Sequence, residues 1–442
     1  MTPDLLVDNC MIVTMDAERR VLPKGYVVVD RGIIQQVGEG EPGGISAAKK
    51  IDCAGKIAIP GLISTHTHMY GILSHGMPVL NPPRSFRDFL EEFWWPKVEN
   101  KLSKPEIRDA ARMACVEMAK TGTTCFADIL EAPNAIPGAL DAEAETVKET
   151  GLRGFLSFEA SERISEFNGE ESLQENARFI QKSNRGEGLV KGMMCTHTLF
   201  TSSLPFLSKA RALASQLNSG IQIHLEEGQY ETEYCNRKYG SLPVEVYDEI
   251  GFLGPDLIAS QCVHTSTREI ALLAKHDAKI SHMPLSNCEV GGGIAPVKQF
   301  LDAGLTVSLG TDGYVTDMFE VMRAAFLIHK GHLQDASVLP ADQVFEMATL
   351  SGAKVLRAGD RVGSIEAGKD ADIVLLDDRF PTPTTETNVY SQLVTFGKGS
   401  HVNTVIVRGR TVVDKGVMTT ISEEEARAAC IRTTEKFWSE LA

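Results

Sequence analysis

The chain lacks positive charge and paired cysteines. Its 442 residues contain 44 Lys and Arg against 59 Asp and Glu, which gives a formal net charge of −15. Because phosphate contacts need clustered lysine and arginine, this balance argues against a nucleic-acid partner. The nine cysteines are scattered and form no C-x-x-C pair. We therefore expect neither a disulfide framework nor a zinc–thiolate site, and the cytoplasm is the predicted location.

Long hydrophobic runs are also missing. No uninterrupted apolar stretch is long enough to span a bilayer, so no membrane association is expected. The N-terminal sequence MTPDLLVDNCMIVTMD has acids within its apolar run and no basic leader, which argues against a secretory signal. With 43% hydrophobic and 23% charged residues, the composition is that of an ordinary globular protein. The length allows one large domain with a smaller one, or two to three medium domains.

Short β-prone runs bounded by turn residues lie near both ends of the chain. They include LLVDNCMIV and GYVVVDRG at the start, and ADIVLLD and NTVIVRGRTVVDKG near the end. The two segments, residues 1–57 and 362–420, are predicted to meet in one small β domain. Residues 421–442 are predicted to form a C-terminal helix, with Ser422 as its N-cap and acids in the first turn.

Between these ends, in residues 58–361, strand-like runs alternate with helical patterns. Near-continuous apolar strands between helices indicate an α/β fold whose parallel sheet is covered on both faces. Eight strand–helix units at this length predict a (β/α)8 barrel of the TIM type, with a doubly wound open sheet as the alternative. The predicted strands are 56–65, 123–129, 151–158, 190–196, 220–226, 257–263, 278–283 and 305–311.

Polar side chains, histidine above all, recur at the C-terminal ends of these strands. Reactive residues of a (β/α)8 barrel lie at those ends. Scattered histidines have no reason to fall at that one position, so their placement predicts an active site there. The strand ends read Thr65-His66-Thr67-His68, Thr196-His197-Thr198, His224-Leu225-Glu226-Glu227, Val263-His264-Thr265, Ser281-His282 and Thr311-Asp312-Gly313.

Four of these residues form a candidate metal site. His66 and His68 are two residues apart, so on a strand both imidazoles face the same side. Neutral imidazole binds divalent zinc or iron well. His224 and Asp312 would complete a site with an open position for water, as a hydrolytic metal centre needs. Taken alone, the H-x-H pattern is weak and is often structural or accidental.

Other strand-end residues have both a functional and a structural interpretation. Glu227 could act as general base and proton shuttle, or could be a solvated acid beside Glu226. His264 could be a fourth ligand, could orient the attacking hydroxide, or could be a satisfied core histidine. His197 and His282 could each hydrogen-bond the substrate or pack at the rim of the barrel. The residue Lys191 lies at the wrong end of its strand to bridge two ions, so one metal is predicted.

Several longer motifs resemble the amidohydrolase superfamily. They are IDCAGKIAIPGLISTHTH, HLEE, CVHTS, HMPLSN, SLGTDG and GSIEAGKDADIVLLD. The branch that is most similar contains aminohydrolases and chlorohydrolases acting on nucleobases, adenosine-type thioethers and triazines, with some SsnA-type features. The similarity extends from about residue 4 to 416. It implies a (β/α)8 barrel, a small β-sandwich domain built from both chain ends, and a homodimer.

The resemblance also implies roles for individual residues. The segment FWWPKVENKL resembles a lid that places Trp94 or Trp95, and Glu99, against the substrate. Phe158 stands where adenosylhomocysteine deaminases tend to place an arginine, and Tyr314 follows Gly313 directly, without the usual longer loop. The implied metal ligands are His66, His68, His224 and Asp312, with Glu227 as the proton-shuttling acid, His264 beside the attacking water and His197 against the substrate.

These observations predict a mononuclear metal-dependent hydrolase that acts on carbon–nitrogen bonds. The expected reaction is hydrolytic deamination of an amino-substituted heterocycle, such as a nucleobase or nucleoside, with release of ammonia. The expected cofactor is one divalent ion, Zn²⁺ with Fe²⁺ as the alternative. Displacement of chloride from a triazine-like ring, opening of a cyclic amide, and a non-enzymatic metal-binding role are the other interpretations.

Overall fold

The computed structural model describes residues 2–79 and 82–439 and contains strands and helices in alternation through most of the chain. The strands are β1 (Leu5–Val13), β2 (Val21–Asp30), β3 (Ile33–Glu39), β4 (Lys49–Asp52), β5 (Lys56–Pro60), β6 (Leu62–Thr67), β7 (Thr123–Leu130), β8 (Arg153–Phe158), β9 (Val190–Gly192), β10 (Met194–Thr196), β11 (Ile221–Leu225), β12 (Leu257–Gln261), β13 (Lys279–His282), β14 (Thr306–Leu309), β15 (Ile373–Asp377), β16 (Val402–Val407), β17 (Arg410–Asp414) and β18 (Val417–Met418).

The helices separate the central strands and follow the end sheet. They are α1 (Phe86–Asp88), α2 (Trp95–Lys97), α3 (Lys104–Lys120), α4 (Ala139–Thr150), α5 (Glu166–Ser183), α6 (Leu204–Gln216), α7 (Gln229–Tyr239), α8 (Pro243–Glu249), α9 (Thr267–Lys275), α10 (Pro284–Glu289), α11 (Val297–Asp302), α12 (Met318–Leu333), α13 (Ala341–Met347), α14 (Leu350–Val355), α15 (Val389–Ser391) and α16 (Glu423–Ser439).

Both ends of the chain contribute to a nine-stranded sheet. Its order is β18-β17-β16-β15-β5-β1-β2-β3, with β4 paired to β1. Strand β5 pairs in parallel with β1 and antiparallel with β15, so it joins the strands of the N-terminal segment to those of the C-terminal segment. Because hydrogen bonds run without a break through these strands, the ends form one connected sheet, and the predicted two-sheet sandwich is not confirmed.

The central strands are parallel, which confirms the predicted α/β class. They form a four-stranded sheet, β6-β7-β8-β9, and a five-stranded sheet, β10-β11-β12-β13-β14. The predicted strand 190–196 is interrupted at Met193, which places β9 and β10 in different sheets. Two isolated parallel bridges, Thr67 to Asp312 and Ala160 to Thr196, connect the two sheets at their two junctions.

Gly61 divides the predicted strand 56–65 between the two parts of the fold. Strand β5 ends at Pro60 in the end sheet, and β6 begins at Leu62 in the parallel sheet. A Cβ atom at Gly61 would lie 1.9 Å from Oγ1 of Thr124, which is too close for any side chain, so only glycine fits at this position. The close approach therefore allows β6 to start directly beside β7.

A buried ionic cluster connects the end sheet to the parallel strands. Arg153, the first residue of β8, lies 2.7 Å from Asp370 and 3.4 Å from Asp372, just before β15. Arg361 lies 2.8 Å from the same Asp370 carboxylate. Since Arg153, Asp370 and Asp372 are buried, each charge depends on its partners for solvation.

The C-terminal helix braces the segment that follows β6. Ser422 accepts a hydrogen bond from the backbone of Glu425 at 3.2 Å, as expected for an N-cap. Near the other end of α16, the indole of Trp438 donates to the Leu73 carbonyl at 2.8 Å, and Leu73 belongs to a 3-10 helix over Met69–Ser74. No helix among residues 2–79 and 82–439 is long and apolar enough to cross a membrane.

Candidate metal centre and active site

Three imidazoles converge at the C-terminal ends of β6 and β11. His66 and His68 lie on one side of β6 because Thr67 between them points to the other. The Nε2 atom of His68 lies 3.3 Å from Nε2 of His66 and 3.3 Å from Nε2 of His224. All three side chains are buried. The structure thus brings three of the predicted ligands together with the same ring nitrogen facing inward.

The outer nitrogens of these rings fix the tautomers. Nδ1 of His68 lies 2.7 Å from the Ile129 carbonyl, which can only accept, so Nδ1 carries the proton. Nδ1 of His224 lies 2.5 Å from Oε1 of Glu159, a carboxylate. In both rings Nε2 is therefore the atom that can bind a cation between the imidazoles. Burial opposes protonation of His224, but Glu159 raises its pKa to about 9, so a cation bound there takes the place of the Nε2 proton.

The spacing of the nitrogens is that of a four-coordinate ion. Zinc binds imidazole nitrogen at about 2.0–2.1 Å in tetrahedral geometry, and ligands so placed are separated by roughly 3.3 Å. The observed separations from His68 to His66 and to His224 are both 3.3 Å. The donor set therefore fits a divalent metal ion held by three histidines and one further ligand.

Asp312 is placed to be that further ligand. Its Oδ1 lies 3.6 Å from Nε2 of His68, and its Oδ2 lies 3.9 Å from Nε2 of His66. The residue lies three positions after the end of β14 and adopts a left-handed backbone (φ 60°), and its Oδ1 accepts from the Gly313 amide at 2.8 Å. Burial alone would raise the pKa of Asp312. The neighbouring histidines outweigh burial and hold this pKa below its usual value, so Asp312 is a carboxylate at neutral pH.

Glu227 follows β11 and lines the same cavity. Burial, together with the charge of Asp312, raises the pKa of Glu227 to about 8, so in this environment it holds a proton at neutral pH. Its backbone is closely covered, because a Cβ at Gly292 would lie 2.7 Å from the Glu227 carbonyl oxygen. A protonated carboxyl beside the four candidate ligands can donate a proton to a bound molecule.

The structure does not group the His264 side chain with the candidate ligands, so its predicted role stays a prediction. Strand β12 ends at Gln261, where Gln261 (φ 66°) and Cys262 (φ 52°) both take the left-handed conformation and turn the chain. The His264 side chain, two residues further on, is exposed. The buried residue beside the ligands is Gln261, whose Nε2 donates to Oδ2 of Asp312 at 3.3 Å.

His282 also lies away from the site, because neighbouring strand residues point to opposite faces. Ser281 points inward, where its hydroxyl lies 2.7 Å from that of Thr65. His282 therefore points outward to α12, and its Nε2 lies 3.0 Å from Nε2 of His329. Both histidines are buried, and His282 packs against α12 and is not among the residues that line the cavity. The substrate contact predicted for His282 therefore has no support from this placement.

His197 lines the cavity and faces the ligands. Its ring stacks on that of His224, with centroids 5.3 Å apart, and its Nδ1 lies 2.9 Å from the hydroxyl of Thr198 and 3.2 Å from that of Thr201. Burial lowers the pKa of His197 to about 3, so the ring is neutral. This leaves Nε2 of His197 available to a ligand in the cavity.

The predicted lid segment forms short helices over the cavity mouth. Trp94 lines the cavity and stacks on Phe89, with ring centroids 5.4 Å apart. Trp95 instead packs against His197, at 5.9 Å between centroids, and over the guanidinium of Arg163, at 5.1 Å. Of the two tryptophans proposed to meet a substrate, only Trp94 is among the lining residues.

Glu99 belongs to a buried network of acids. It accepts from the Tyr70 hydroxyl at 2.9 Å and from Arg163 at 2.9 Å. Burial and the neighbouring Glu131 raise the pKa of Glu99 well above its ordinary value. Glu99 borders the cavity. Because both of its oxygens have protein partners, the side chain is held in place by Tyr70 and Arg163.

The sequence analysis missed Glu159, Glu131 and Gln261. Burial alone would raise the pKa of Glu159. The adjacent His224 and His197 outweigh burial and hold this pKa well below its usual range, so Glu159 is a carboxylate. Each of the three is buried. Glu159 and Glu131 come directly after β8 and β7, and Gln261 ends β12. Their position at strand ends is the signal by which the sequence could have predicted them.

The cavity above the candidate ligands has a volume of about 460 Å³. Its floor is polar, with His68, His197 and His224. Its mouth is largely apolar and aromatic, with Phe89 and Trp94 on one side. A site of this size with a few convergent polar groups at the bottom fits a small aromatic molecule.

Fold and site together define a metal-dependent α/β hydrolase. Residues 57–412 match the family described as the amidohydrolase family. The chain belongs to this family and is a hydrolase acting on non-peptide carbon–nitrogen bonds. The three histidines and the aspartate are its candidate ligands for a divalent metal ion.

Two relatives match over almost their whole length. The chain is 35% identical over 435 residues to a 5′-deoxyadenosine deaminase of Methanosarcina acetivorans, covering 96% of this chain and 97% of that protein. It is 34% identical over 439 residues to a 5-methylthioadenosine/S-adenosylhomocysteine deaminase of Moorella thermoacetica, covering 98% and 99%. Among solved structures, an adenosine deaminase from Xanthomonas campestris with bound zinc shares the fold, with a TM-score of 0.90, 24% identity and 99% of both chains covered.

Proposed function

We propose that this protein is a hydrolytic deaminase that releases ammonia from an amino-substituted nitrogen heterocycle, with adenosine derivatives as the substrate class. The observation that carries this proposal is the meeting of His66, His68, His224 and Asp312 beside a cavity that Glu227 also lines. The names of the relatives support adenosine derivatives as substrates.

We also propose that the eight parallel strand units close into a (β/α)8 barrel that forms a catalytic domain over 58–361. The two isolated bridges between the parallel sheets support closure, as does the donation from the Thr311 and Asp312 amides to the His66 carbonyl at 2.9 and 3.0 Å. The end segments 1–57 and 362–420 would then form the second, smaller domain. A cytoplasmic homodimer stays a prediction.

Zinc is the proposed metal. The 3.3 Å spacing of the nitrogens favours tetrahedral coordination over the wider or octahedral arrangements of other ions. When bound, the ion supplies a water molecule of lowered pKa and so a nucleophile at neutral pH. His66, His68, His224 and Asp312 would hold it, and Glu159 would keep His224 in the ligating tautomer.

The protein's own residues then carry the protons. Asp312, ionised and adjacent to the open side of the site, accepts the proton of the attacking water at a carboxylate oxygen. Glu227 donates its proton to the ring nitrogen of the substrate. It then takes up the proton of the new hydroxyl group as the carbonyl forms, and passes that proton to the departing amine. The free Nε2 of His197 and the aromatic face of Trp94 orient the ring. Proton transfer by a positioned group of this kind contributes about 10²–10⁴-fold to a rate.

The test is ammonia release from a panel of heterocyclic amines, with chloride release from a chlorinated triazine measured in parallel. Protein loaded with zinc should release ammonia from at least one adenosine derivative, and protein stripped by a chelator should do so only after zinc is restored. Chloride release without any ammonia release would contradict the proposal and favour the displacement reaction.

A further inference from the structure

We propose that this site selects its substrates by charge: it accepts a neutral or cationic substituent on the heterocycle and rejects an anionic one. The inference rests on the proposed function, because it concerns the outer part of the same cavity. It specifies which members of the proposed substrate class the protein can use.

Apart from four histidines, the lining side chains that can carry charge at neutral pH are all acids. Among the described residues that line it, none is lysine or arginine. Five lining residues are acids: Glu99, Glu159, Glu227, Glu289 and Asp312. A carboxylate or phosphate at the outer end of the cavity, away from the candidate metal, would lose its hydration without gaining a lysine or arginine partner, which is costly in a partly buried site.

The inner acids are already engaged. Glu159 pairs with His224, and Glu99 pairs with Arg163. Asp312 and Glu227 lie at the candidate metal. These four therefore act on the reacting end of a substrate and leave the outer end to other residues.

Glu289 is the acid at the outer end. It is the last residue of α10, it is exposed, and it lines the same cavity. The wall opposite the polar floor is apolar, with Phe89 and Phe93 among its residues. A substituent that reaches outward from the ring therefore meets aromatic surface and one carboxylate.

Arg84 and Arg87 lie next to lining residues in the sequence but do not line the cavity themselves. The guanidinium of Arg87 lies over the Tyr230 ring, 4.4 Å from its centroid, and its Nε pairs with Glu91 at 2.9 Å. Arg84 is exposed and is not among the lining residues. Neither is placed to receive an anionic group inside the cavity. The net charge of −15 acts in the same direction over longer distances.

Three ligands that share one adenine ring test the inference. They are 5-methylthioadenosine, which is neutral, S-adenosylhomocysteine, which carries an ammonium and a carboxylate, and the analogue of the latter that keeps the ammonium and lacks the carboxylate. Dissociation constants are measured by calorimetry with zinc-loaded Glu227→Gln protein, in which turnover is slowed. We expect the zwitterion to bind at least about tenfold more weakly than the amine, since like charges in a partly desolvated site are strongly unfavourable.

Glu289→Lys tests the residue itself. This substitution should reduce the preference for the amine over the zwitterion by about fivefold or more, because an exposed charge pair is worth up to about 1 kcal/mol and its sign is now reversed. Glu249→Lys is the matched control, since it makes the same change in net charge on an exposed residue at the end of α8, before β12 begins. The control should leave the preference unchanged.

Equal binding of the zwitterion and the amine would overturn the inference, as would an unchanged preference in Glu289→Lys. Ammonia release by the wild-type protein is followed separately with the same three ligands. If a ligand binds but none releases ammonia, the proposed deamination fails while the order of affinities still decides the inference about charge.

Discussion

The Nδ1 atom of His224 lies 2.5 Å from Oε1 of Glu159, and both side chains are buried. The carboxylate therefore orients the imidazole and keeps its proton on Nδ1, so that Nε2 faces the other two histidines. Partners of this kind behind a ligating histidine strengthen a metal site without touching the ion.

Glu159→Gln should weaken zinc binding by about 10–100-fold, the usual effect of removing such a partner. The measurement is competition for zinc with a chelator of known affinity. Glu175→Gln is the control, because Glu175 is an equally buried acid that instead caps the start of α4 through the amides of Gly138 and Leu140. Unchanged zinc affinity in Glu159→Gln would remove Glu159 from the metal site.

Gln261→Leu should lower kcat/KM about tenfold while zinc content stays close to that of the wild type. The amide of Gln261 donates to Oδ2 of Asp312 at 3.3 Å, and hydrogen bonds to charged groups contribute about 1.5–3 kcal/mol. Gln299→Leu, an exposed change on α11, is the control. A normal kcat/KM in Gln261→Leu would show that the hydrogen bond from Gln261 to Asp312 does not contribute to catalysis.

Arg153→Met should destabilise the protein by about 3–5 kcal/mol, because it leaves the buried carboxylate of Asp372 without its cation and leaves Asp370 with Arg361 as its main partner. Urea unfolding measures the change. Arg112→Met should cost less than about 1 kcal/mol, since Arg112 pairs with Glu149 in a far more exposed position. Similar losses from the two substitutions would contradict the assigned role of the buried cluster.

His329 should make the folded state sensitive to acid. Burial lowers its pKa to about 4, against about 6.5 in the unfolded chain. Below pH 6.5 the unfolded chain binds the extra proton more readily, so stability from this group is present above pH 6.5 and is lost as the pH falls toward 4.

The variant His329→Gln should therefore lose less stability than the wild type between pH 7 and pH 4.5, by roughly 3 kcal/mol at most. Unfolding by urea at the two pH values gives the difference, with the exposed His332→Gln as the control. An identical loss of stability in His329→Gln and in the wild type would exclude His329 as the acid-sensitive group.

Much of the fold could be predicted from the sequence because each strand is marked by a local run of apolar residues. Apolar runs such as 123–129 and 151–158 became β7 and β8 within two residues at each end. The division at Gly61 could not be predicted, since it depends on Thr124 in a distant strand. The single sheet of the two chain ends also depends on long-range pairing, of β5 with β1 and β15.

The candidate ligands could be predicted because alternation along a strand fixes the face of His66 and His68. The placement of His264 could not, because it depends on two left-handed residues at the end of β12. Likewise, nothing local shows that Ser281 rather than His282 points inward. The sequence shows Glu159 and Gln261 at strand ends, but it does not show that they contact His224 and Asp312, and their roles depend on those contacts.

The most direct test of the account is the rate of ammonia release by Glu227→Gln with its zinc content measured on the same sample. Glu227 is the protonated acid at the floor of the cavity and lies outside the set of four candidate ligands. The account predicts full zinc occupancy and a fall in kcat of at least about 100-fold, with Glu249→Gln unaffected. Near-normal turnover by zinc-loaded Glu227→Gln would contradict it.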